Sequence, residues 1–160
     1  MPLIEIKNLG KEYKLGKTTV AALNDITLSI DNGKFISVIG PSGSGKTTLL
    51  NIIGCLDTQT KGSFTLDGIN PHKLSPELLA EFRGSNVGFI FQNFNLIPVL
   101  TVYENVEYPL LMVRKEKSGQ RHDEILELLD DVGILNQAYK KPDQLSGGQR
   151  QRVAIARALI

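Results

Sequence analysis

The sequence lacks the features that mark disulfide-rich, membrane-spanning and nucleic-acid-binding proteins. Its 160 residues contain a single cysteine, Cys55, which excludes an internal disulfide framework. No uncharged apolar run reaches the roughly 18 residues of a bilayer-crossing helix, and the N-terminus lacks the apolar core of a signal peptide. The formal net charge is only +1, so no whole-domain field attracts nucleic acid or a membrane surface. We therefore expect a cytoplasmic protein with no nucleic-acid partner, which reaches a membrane only through another subunit.

A glycine-rich stretch, residues 40–48, carries the strongest functional signal in the chain. It reads GPSGSGKTT and matches the phosphate-binding pattern G-x-x-x-x-G-K-[ST]. Glycines let the backbone curl and point N–H groups at an anion, and a helix N-terminus adds a positive dipole end. The Lys46 ammonium is long enough to reach the β- and γ-phosphates, and the Thr47 hydroxyl suits Mg²⁺. The pattern therefore predicts a nucleoside triphosphate site.

Apolar patterning predicts the segments around this loop. Residues 1–34 contain short alternating runs and predict an antiparallel lead-in sheet, with short strands at residues 3–9, 20–23 and 26–30. Residues 35–39 and 87–91 are largely apolar and predict buried parallel strands. A capping box at Thr101 and Glu104 predicts the start of a helical stretch. The pattern as a whole predicts an α/β protein with a helical subdomain inserted into it.

Residues that favour turns and caps predict several boundaries. Gly10 is expected at a turn, and residues 63–66 are expected to return to the lead-in sheet as a strand. Ser75 predicts the cap of a helix that Gly84 is expected to end. Cys55 is expected to act as a small buried hydrophobic residue on the helix that follows the glycine loop.

A second motif, Leu145–Gln149, combines a helix cap with two glycines. Ser146 and Gln149 have the spacing of a capping box, and one interpretation is a helix cap and nothing more. Gly147 and Gly148 nevertheless cost about 1 kcal/mol each relative to alanine in a helix. A helix N-terminus with bare glycine N–H groups and a serine hydroxyl is also a suitable anion site. Two such sites in one chain favour a nucleotide shared between two subunits.

Together these motifs resemble the ABC-type ATPase family, the nucleotide-binding domains of ATP-binding-cassette transporters, over essentially the whole chain. Residues 40–47 match the Walker A loop, and residues 145–149 spell the LSGGQ signature. Gln92, after an apolar run, matches the glutamine of the Q-loop. Tyr13 matches the aromatic residue that stacks on adenine. Residues 40–111 look most like the macrolide-export and lipoprotein-release subfamily.

The resemblance implies a fold and a division into segments. The implied fold is an α/β P-loop NTPase with a parallel core sheet, an N-terminal antiparallel β subdomain and a helical subdomain. The implied segments of this single domain are an antiparallel lead-in at 1–34, a P-loop core at 35–92, a helical subdomain at 93–144, and the signature motif with its helix at 145–160.

The resemblance also implies ATP and Mg²⁺ as ligands. In that family the residue at Ser42 reaches the γ-phosphate, Thr48 contacts the α- and β-phosphates, and Thr47 and Gln92 hold the metal. The residues expected to act in catalysis are Lys46, Gln92 and Ser146. The residues expected to bind the nucleotide are Tyr13, Gly40, Ser42, Gly43, Ser44, Gly45, Lys46, Thr47, Thr48, Ser146, Gly147, Gly148 and Gln149.

The implied partners are a second copy of the chain and an integral membrane permease subunit. The two copies are expected to form a head-to-tail dimer with two ATP molecules between them, on the inner face of the cell membrane. ATP hydrolysis is expected to drive export or extraction of a substrate. The family continues beyond the position of Ile160 with the Walker B aspartate, the catalytic glutamate and the switch histidine. We therefore expect a fold incomplete at its C-terminus, without hydrolysis by this chain alone. His72 and His122 are expected to lie at the surface.

Two alternatives from other functional classes stay open at this point. One is a soluble ABC-type ATPase of DNA repair or translation, although such proteins carry large insertions, zinc sites or tandem cassettes that this sequence lacks. The other is a nucleotide-binding module without catalysis.

Overall fold

The computed structural model describes all 160 residues, which fold as two units, Met1–Arg83 and Gly84–Ile160. The strands are β1 (Ile4–Leu15), β2 (Thr18–Ile30) and β3 (Lys61–Leu66). The helices are α1 (Lys46–Ile53), α2 (Pro76–Asn86), α3 (Val102–Met112), α4 (His122–Asp131) and α5 (Gly147–Leu159), with short 3₁₀ turns at Pro71–Lys73, Leu135–Gln137 and Pro142–Gln144. None of the helices has the length and hydropathy that crossing a bilayer requires.

The first unit is built on an antiparallel sheet with the strand order β2-β1-β3. In the register, Ile6 of β1 lies between Leu28 of β2 and Phe64 of β3. Because side chains alternate between the two faces of a strand, this register puts the apolar positions of all three strands on one face. Ile6 and Phe64 are fully buried, so the sheet has one side that packs into a core.

Helix α1 supplies buried side chains to the same unit. Leu49 and Ile52 are buried on it, four and seven residues after Gly45 where the helix is capped. Burial of side chains of this size contributes about 1.5–3 kcal/mol each relative to full exposure. The helix ends at Gly54, and Cys55 then turns the chain back in a left-handed conformation with φ 57°. Cys55 is buried, as the sequence predicts, but it lies after the helix rather than on it.

The second unit has a helical core. Its buried apolar side chains come mainly from α3, α4 and α5. The predicted capping box opens α3: the Thr101 Oγ1 accepts from the Glu104 N–H at 3.2 Å, and Glu104 Oε2 accepts from the Thr101 N–H at 2.7 Å. Asn105, fully buried in the next turn, accepts from the Ile97 N–H at 2.8 Å and donates to the carbonyl oxygens of Ile97 and Leu100. This buried amide therefore fixes the loop that leads into α3.

Two sequence predictions about strands are wrong in the structure. Residues 35–39 and 87–91, predicted to be parallel strands, contain no regular secondary structure, and the one sheet is antiparallel. Phe35 is 97% exposed and Ile39 is 88% exposed. A parallel strand takes its hydrogen bonds from distant parts of the chain, and neither segment has a strand partner here. Apolar composition alone therefore did not determine a strand.

Three boundaries also differ from the predictions. Gly10 lies inside β1, where the pairing is irregular, instead of at a turn. The two short strands expected between residues 20 and 30 are one continuous strand, β2. Gly84 lies within α2, which continues to Asn86. The return of residues 63–66 to the lead-in sheet is confirmed by their pairing with β1. The division into segments at 1–34, 35–92, 93–144 and 145–160 stays a prediction.

Candidate functional site

The glycine loop leads directly into the N-terminus of α1. Gly45 caps the helix in a left-handed conformation (φ 87°), and no side chain caps it. The first N–H groups of an α-helix have no acceptor within the helix. At this helix they stay available to a ligand, and the helix dipole makes the position favourable for an anion.

Gly45 is required by its surroundings as well as by its conformation. A Cβ at this position would lie 2.5 Å from the carbonyl oxygen of Ala22 and 2.8 Å from the side chain of Leu23. The loop therefore packs against β2 too closely to leave room for a side chain at position 45. Gly43 also has a positive φ of 82°, but a Cβ there would meet nothing within 4 Å. These two glycines serve different purposes, close packing at one and a tight turn at the other.

The Lys46 ammonium holds the loop closed. Its Nζ donates to the carbonyl oxygens of Gly40 at 2.8 Å and Pro41 at 2.6 Å, and lies 3.4 Å from the Ser44 hydroxyl oxygen. These contacts offset the partial negative charges of two carbonyl oxygens of the loop. A positive charge and free N–H groups are thus left together at one place, which suits a phosphate chain.

A cavity of about 250 Å³ lies beside this loop. Its walls are residues 20–22 of β2, Gly43, and residues 45–48. Gly43 and residues 45–48, five of the predicted phosphate-binding residues, are thus brought together around one opening, whereas Gly40 and Ser44 do not line it. Ser42, which is exposed on the same loop, does not line it.

Tyr13 lies in β1, and its hydroxyl donates to Asp57 Oδ2 at 2.5 Å. The bond to Asp57 is the main reason that the pKa of Tyr13 is raised. In the sheet, Tyr13 pairs with Val20 of β2, which lines the cavity beside the glycine loop. The residue that the resemblance assigns to adenine therefore lies on the strand next to one wall of that cavity.

The second predicted motif begins α5 in the second unit. Gln149 Oε1 accepts from the Ser146 N–H at 2.9 Å, and Ser146 Oγ accepts from the Gln149 N–H at 3.3 Å, which confirms the predicted capping box. Gly147 and Gly148 are exposed. A Cβ at either position would meet nothing within 4 Å, and neither has a positive φ. No contact within the chain therefore requires these glycines.

Gln92 lies in an exposed turn of the second unit, and α5 holds that turn. The Arg157 guanidinium donates to the carbonyl oxygens of Phe94 and Asn95, each at 2.7 Å. Both acceptors belong to residues in the left-handed region, with φ of 61° and 47°. Burial lowers the pKa of Arg157, yet arginine remains protonated in proteins. Sequence reasoning missed Arg157 because its partners lie more than 60 residues away in the chain.

The two histidines differ in how far their side chains are buried. His122 is exposed, as predicted, and its Nδ1 lies 3.1 Å from the Tyr103 hydroxyl. His72 is half-buried instead of lying freely at the surface, with its ring tilted against Phe64 at a centroid distance of 5.4 Å. Burial lowers the pKa of His72. Neither histidine belongs to the glycine loop or to the second motif.

The chemistry of the loop is compatible with Mg²⁺. No group of three or more His, Cys, Asp or Glu side chains forms a metal site. Magnesium commonly keeps several waters and shares phosphate oxygens of a nucleotide, with few protein ligands. The Thr47 hydroxyl at the start of α1 is a hard oxygen of the type that such an ion would take as a ligand. The metal contact predicted for Gln92 stays a prediction.

Comparison with known proteins gives a consistent result. A family profile described as "ABC transporter" matches residues 23–160. The chain is 48% identical to the ABC transporter ATP-binding protein YvrO of Bacillus subtilis over 99% of its own length and 69% of YvrO. It is 47% identical to the macrolide export ATP-binding/permease protein MacB of Neisseria gonorrhoeae, of which it spans 25%.

The structure is similar to solved ones as well. The cassette MJ0796 of Methanocaldococcus jannaschii, solved as a dimer, superposes with a TM-score of 0.88 at 50% identity. The match covers 98% of this chain and 68% of that one. A second dimeric structure of the same cassette, in a post-hydrolysis state bound to ADP and Pi, also has a TM-score of 0.88.

Proposed function

This chain belongs to the ABC transporter family, and we propose that it binds ATP at residues 40–48 as the ATP-binding part of a transport complex. The similarity to the MJ0796 cassette confirms the fold class predicted from the sequence, an ABC-type P-loop ATPase. The observation that carries the proposal is the start of α1. There an uncapped helix N-terminus, left-handed glycines and the Lys46 ammonium meet at one opening.

Each group at this opening has a distinct task in binding. The N–H groups at the start of α1 and the helix dipole attract the phosphates. Lys46 adds a full positive charge next to them, and charge-assisted hydrogen bonds are the stronger ones. When Mg²⁺ is bound with the nucleotide, it neutralises phosphate charge, and the Thr47 hydroxyl is the residue of this loop proposed to hold it. The loop thereby orients the triphosphate and partly replaces its water.

The start of α5 is proposed to meet a nucleotide held by another copy of the chain. Gly147 and Gly148 leave an open, side-chain-free surface beside the Ser146 hydroxyl. No internal packing accounts for glycine at these positions, whereas close approach of an external phosphate does. The dimeric state of the related MJ0796 cassette supports this proposal. We propose a head-to-tail dimer in which each nucleotide contacts residues 40–48 of one copy and 146–148 of the other.

The complex as a whole is proposed to work at a membrane. The related MacB proteins combine an ATP-binding part with a permease, and this chain spans 25% of their length. We propose that a permease subunit anchors this chain peripherally on the inner face of the membrane. ATP binding and hydrolysis in the dimer then drive export or extraction of a substrate that contacts the permease.

A nucleotide titration tests the proposal. We expect calorimetry to detect Mg·ATP binding to the chain, and Lys46→Ala to weaken it about 10- to 100-fold, because charged hydrogen bonds contribute about 1.5–3 kcal/mol. Lys17→Ala is the matched control, since it removes an exposed lysine from the β1–β2 turn and is expected to leave affinity unchanged. Equal affinity of the wild-type and Lys46→Ala chains would refute the proposed site.

A further inference from the structure

A cluster of polar side chains joins β1 to the loop after α1. Asp57 is its centre: its Oδ1 accepts from the Lys11 ammonium and its Oδ2 accepts from the Tyr13 hydroxyl, both at 2.5 Å. Tyr13 pairs in the sheet with Val20, which lines the cavity beside the glycine loop. Neither Lys11 nor Asp57 carries a role in the site described above. Both, however, contact Tyr13, to which the resemblance assigns the adenine.

The backbone fixes Asp57 in this place. After Cys55 reverses the chain, the Asp57 N–H donates to the Asn51 carbonyl of α1 at 3.2 Å. The Thr60 N–H then donates to the Gly10 carbonyl of β1 at 2.8 Å. Lys11 also donates to the Thr58 carbonyl at 2.6 Å. The carboxylate is thus anchored to the helix on one side and to the strand on the other.

The charges of the cluster are balanced. Burial raises the pKa of the Asp57 carboxyl, but hydrogen bonds from Lys11, Tyr13 and the Thr58 N–H together hold that pKa below its usual range. The side chains of Lys11 and Asp57 are only 12% and 25% exposed. The ion pair is therefore partly shielded from water, and Asp57 remains a charged acceptor for Tyr13 at neutral pH.

The Tyr13 ring is held but not covered. The Lys11 ammonium lies 4.8 Å from the ring centroid, within the range of a cation–π contact. The residue nevertheless remains 37% exposed. A partly exposed tyrosine that is fixed by its hydroxyl is suited to stacking on a flat ligand with little further loss of side-chain freedom.

We propose that Asp57 is a positioning residue for the nucleotide base: it fixes Tyr13 beside the phosphate loop before ATP arrives. The proposal rests on the proposed function above, in which residues 40–48 bind the phosphates, and on the resemblance that assigns Tyr13 to the adenine. Lys11 supports it by holding the Asp57 carboxylate. The effect is on the base and leaves the phosphates untouched, because no residue of the phosphate site at 40–48 is hydrogen-bonded to the Asp57 carboxylate, whose partners are Lys11, Tyr13 and the Thr58 N–H.

The test compares ATP with inorganic tripolyphosphate, a probe that lacks a base, each titrated with Mg²⁺ into the full chain. Asp57→Ala is expected to weaken ATP binding about two- to tenfold, because it frees the Tyr13 side chain. The same substitution is expected to change the affinity for tripolyphosphate by less than about twofold. Asp57→Asn, which keeps an acceptor for Tyr13, is expected to lose less. Asp31→Ala, which removes an exposed carboxylate in the turn after β2, is the control and is expected to behave as wild type.

A double mutant separates positioning from a general structural role. Tyr13→Phe keeps the ring and removes the hydroxyl, so it is expected to lose about as much ATP affinity as Asp57→Ala. The double variant is expected to lose no more than either single one. Equal weakening of ATP and tripolyphosphate by Asp57→Ala, additive losses in the double variant, or no loss at all would each overturn the proposal.

A failure of the proposed phosphate site would give different binding results from a failure of the role proposed for Asp57. If the wild-type chain bound neither probe, or if Lys46→Ala bound both unchanged, the phosphate site itself would be refuted and the inference with it. If Lys46→Ala lost both probes while Asp57→Ala kept ATP affinity, the phosphate site would stand and only the role of Asp57 would be overturned.

Discussion

Two helices of this protein begin with glycine-rich motifs, and their first turns are built in opposite ways. At α1 the cap is Gly45, in a left-handed conformation with no side chain to satisfy the helix N–H groups. At α5 the cap is Ser146, and its reciprocal bonds with Gln149 satisfy part of that need from within. The start of α1 therefore leaves its N–H groups without a side-chain acceptor, while the start of α5 is capped by its own side chains and presents an exposed glycine surface.

The glycines differ in the same sense. Gly45 is enclosed by β2, so the chain around it leaves no room for a side chain. Gly147 and Gly148 have open space around them. Glycine is therefore required at α1 by the fold of the first unit, whereas no contact within the chain requires it at α5. Substitutions at the two places are expected to have effects of opposite sign on stability.

The largest effect is expected from Gly45→Ala. The added Cβ meets the Ala22 carbonyl, and the left-handed conformation is strained for alanine, so we expect a loss of about 2 kcal/mol or more in the free energy of unfolding. Urea denaturation followed by circular dichroism measures it. Gly43→Ala is the matched control: it has the same conformational strain without the collision, and we expect about 1–2 kcal/mol. A smaller loss at Gly45 than at Gly43 would contradict the packing of the loop on β2.

A smaller effect of the opposite sign is expected from Gly147→Ala. Alanine is favoured over glycine in a helix by about 1 kcal/mol, and nothing lies near the new Cβ, so the free energy of unfolding is expected to rise. The same change is expected to weaken ATP-dependent dimerisation, measured by light scattering. Ser146→Ala is the companion variant, expected to lose about 1 kcal/mol with the cap. A Gly147→Ala chain that was both more stable and equally able to dimerise would contradict the proposed contact of Gly147 with the nucleotide of a second copy.

The smallest effect is expected in the pH dependence of the first unit. Burial holds the pKa of His72 below its ordinary value, so as the pH falls below about 6.5 the unfolded chain takes up a proton first. The contribution of His72 to stability is therefore complete above that pH and declines below it. Between pH 7.5 and 5.5, we expect His72→Phe to reduce the loss of stability. The exposed His122, replaced in the same way, serves as control; equal pH profiles of wild type and His72→Phe would contradict this account.

The features that sequence predicted correctly are local ones. The capping boxes at Thr101 and Ser146 depend on residues three positions apart, and both form as expected. The glycine loop before α1 likewise depends on one short segment. Rules of spacing are sufficient where all the partners lie within one turn of helix or one hairpin.

The features that sequence missed depend on distant partners. Residues 35–39 and 87–91 have the composition of buried strands, yet a parallel strand forms only next to others, and neither segment has a strand partner. Asp57 lies 44 residues from Tyr13 along the chain, and no pattern in the sequence links them. His72 was expected at the surface because nothing local shows that it packs against Phe64. Tertiary contacts of this kind become visible only in the structure.

We propose that α1 binds the nucleotide and that α5 meets the nucleotide of a second copy. Backbone amide NMR during a Mg·ATP titration tests it directly, at one protein concentration below and one above that needed for dimerisation. The account predicts that the signals of Gly43, Gly45 and Lys46 shift at both concentrations, and that those of Gly147 and Gly148 shift only at the higher one. Unchanged signals at residues 43–46, or shifts at Gly147 and Gly148 in the monomer, would contradict it.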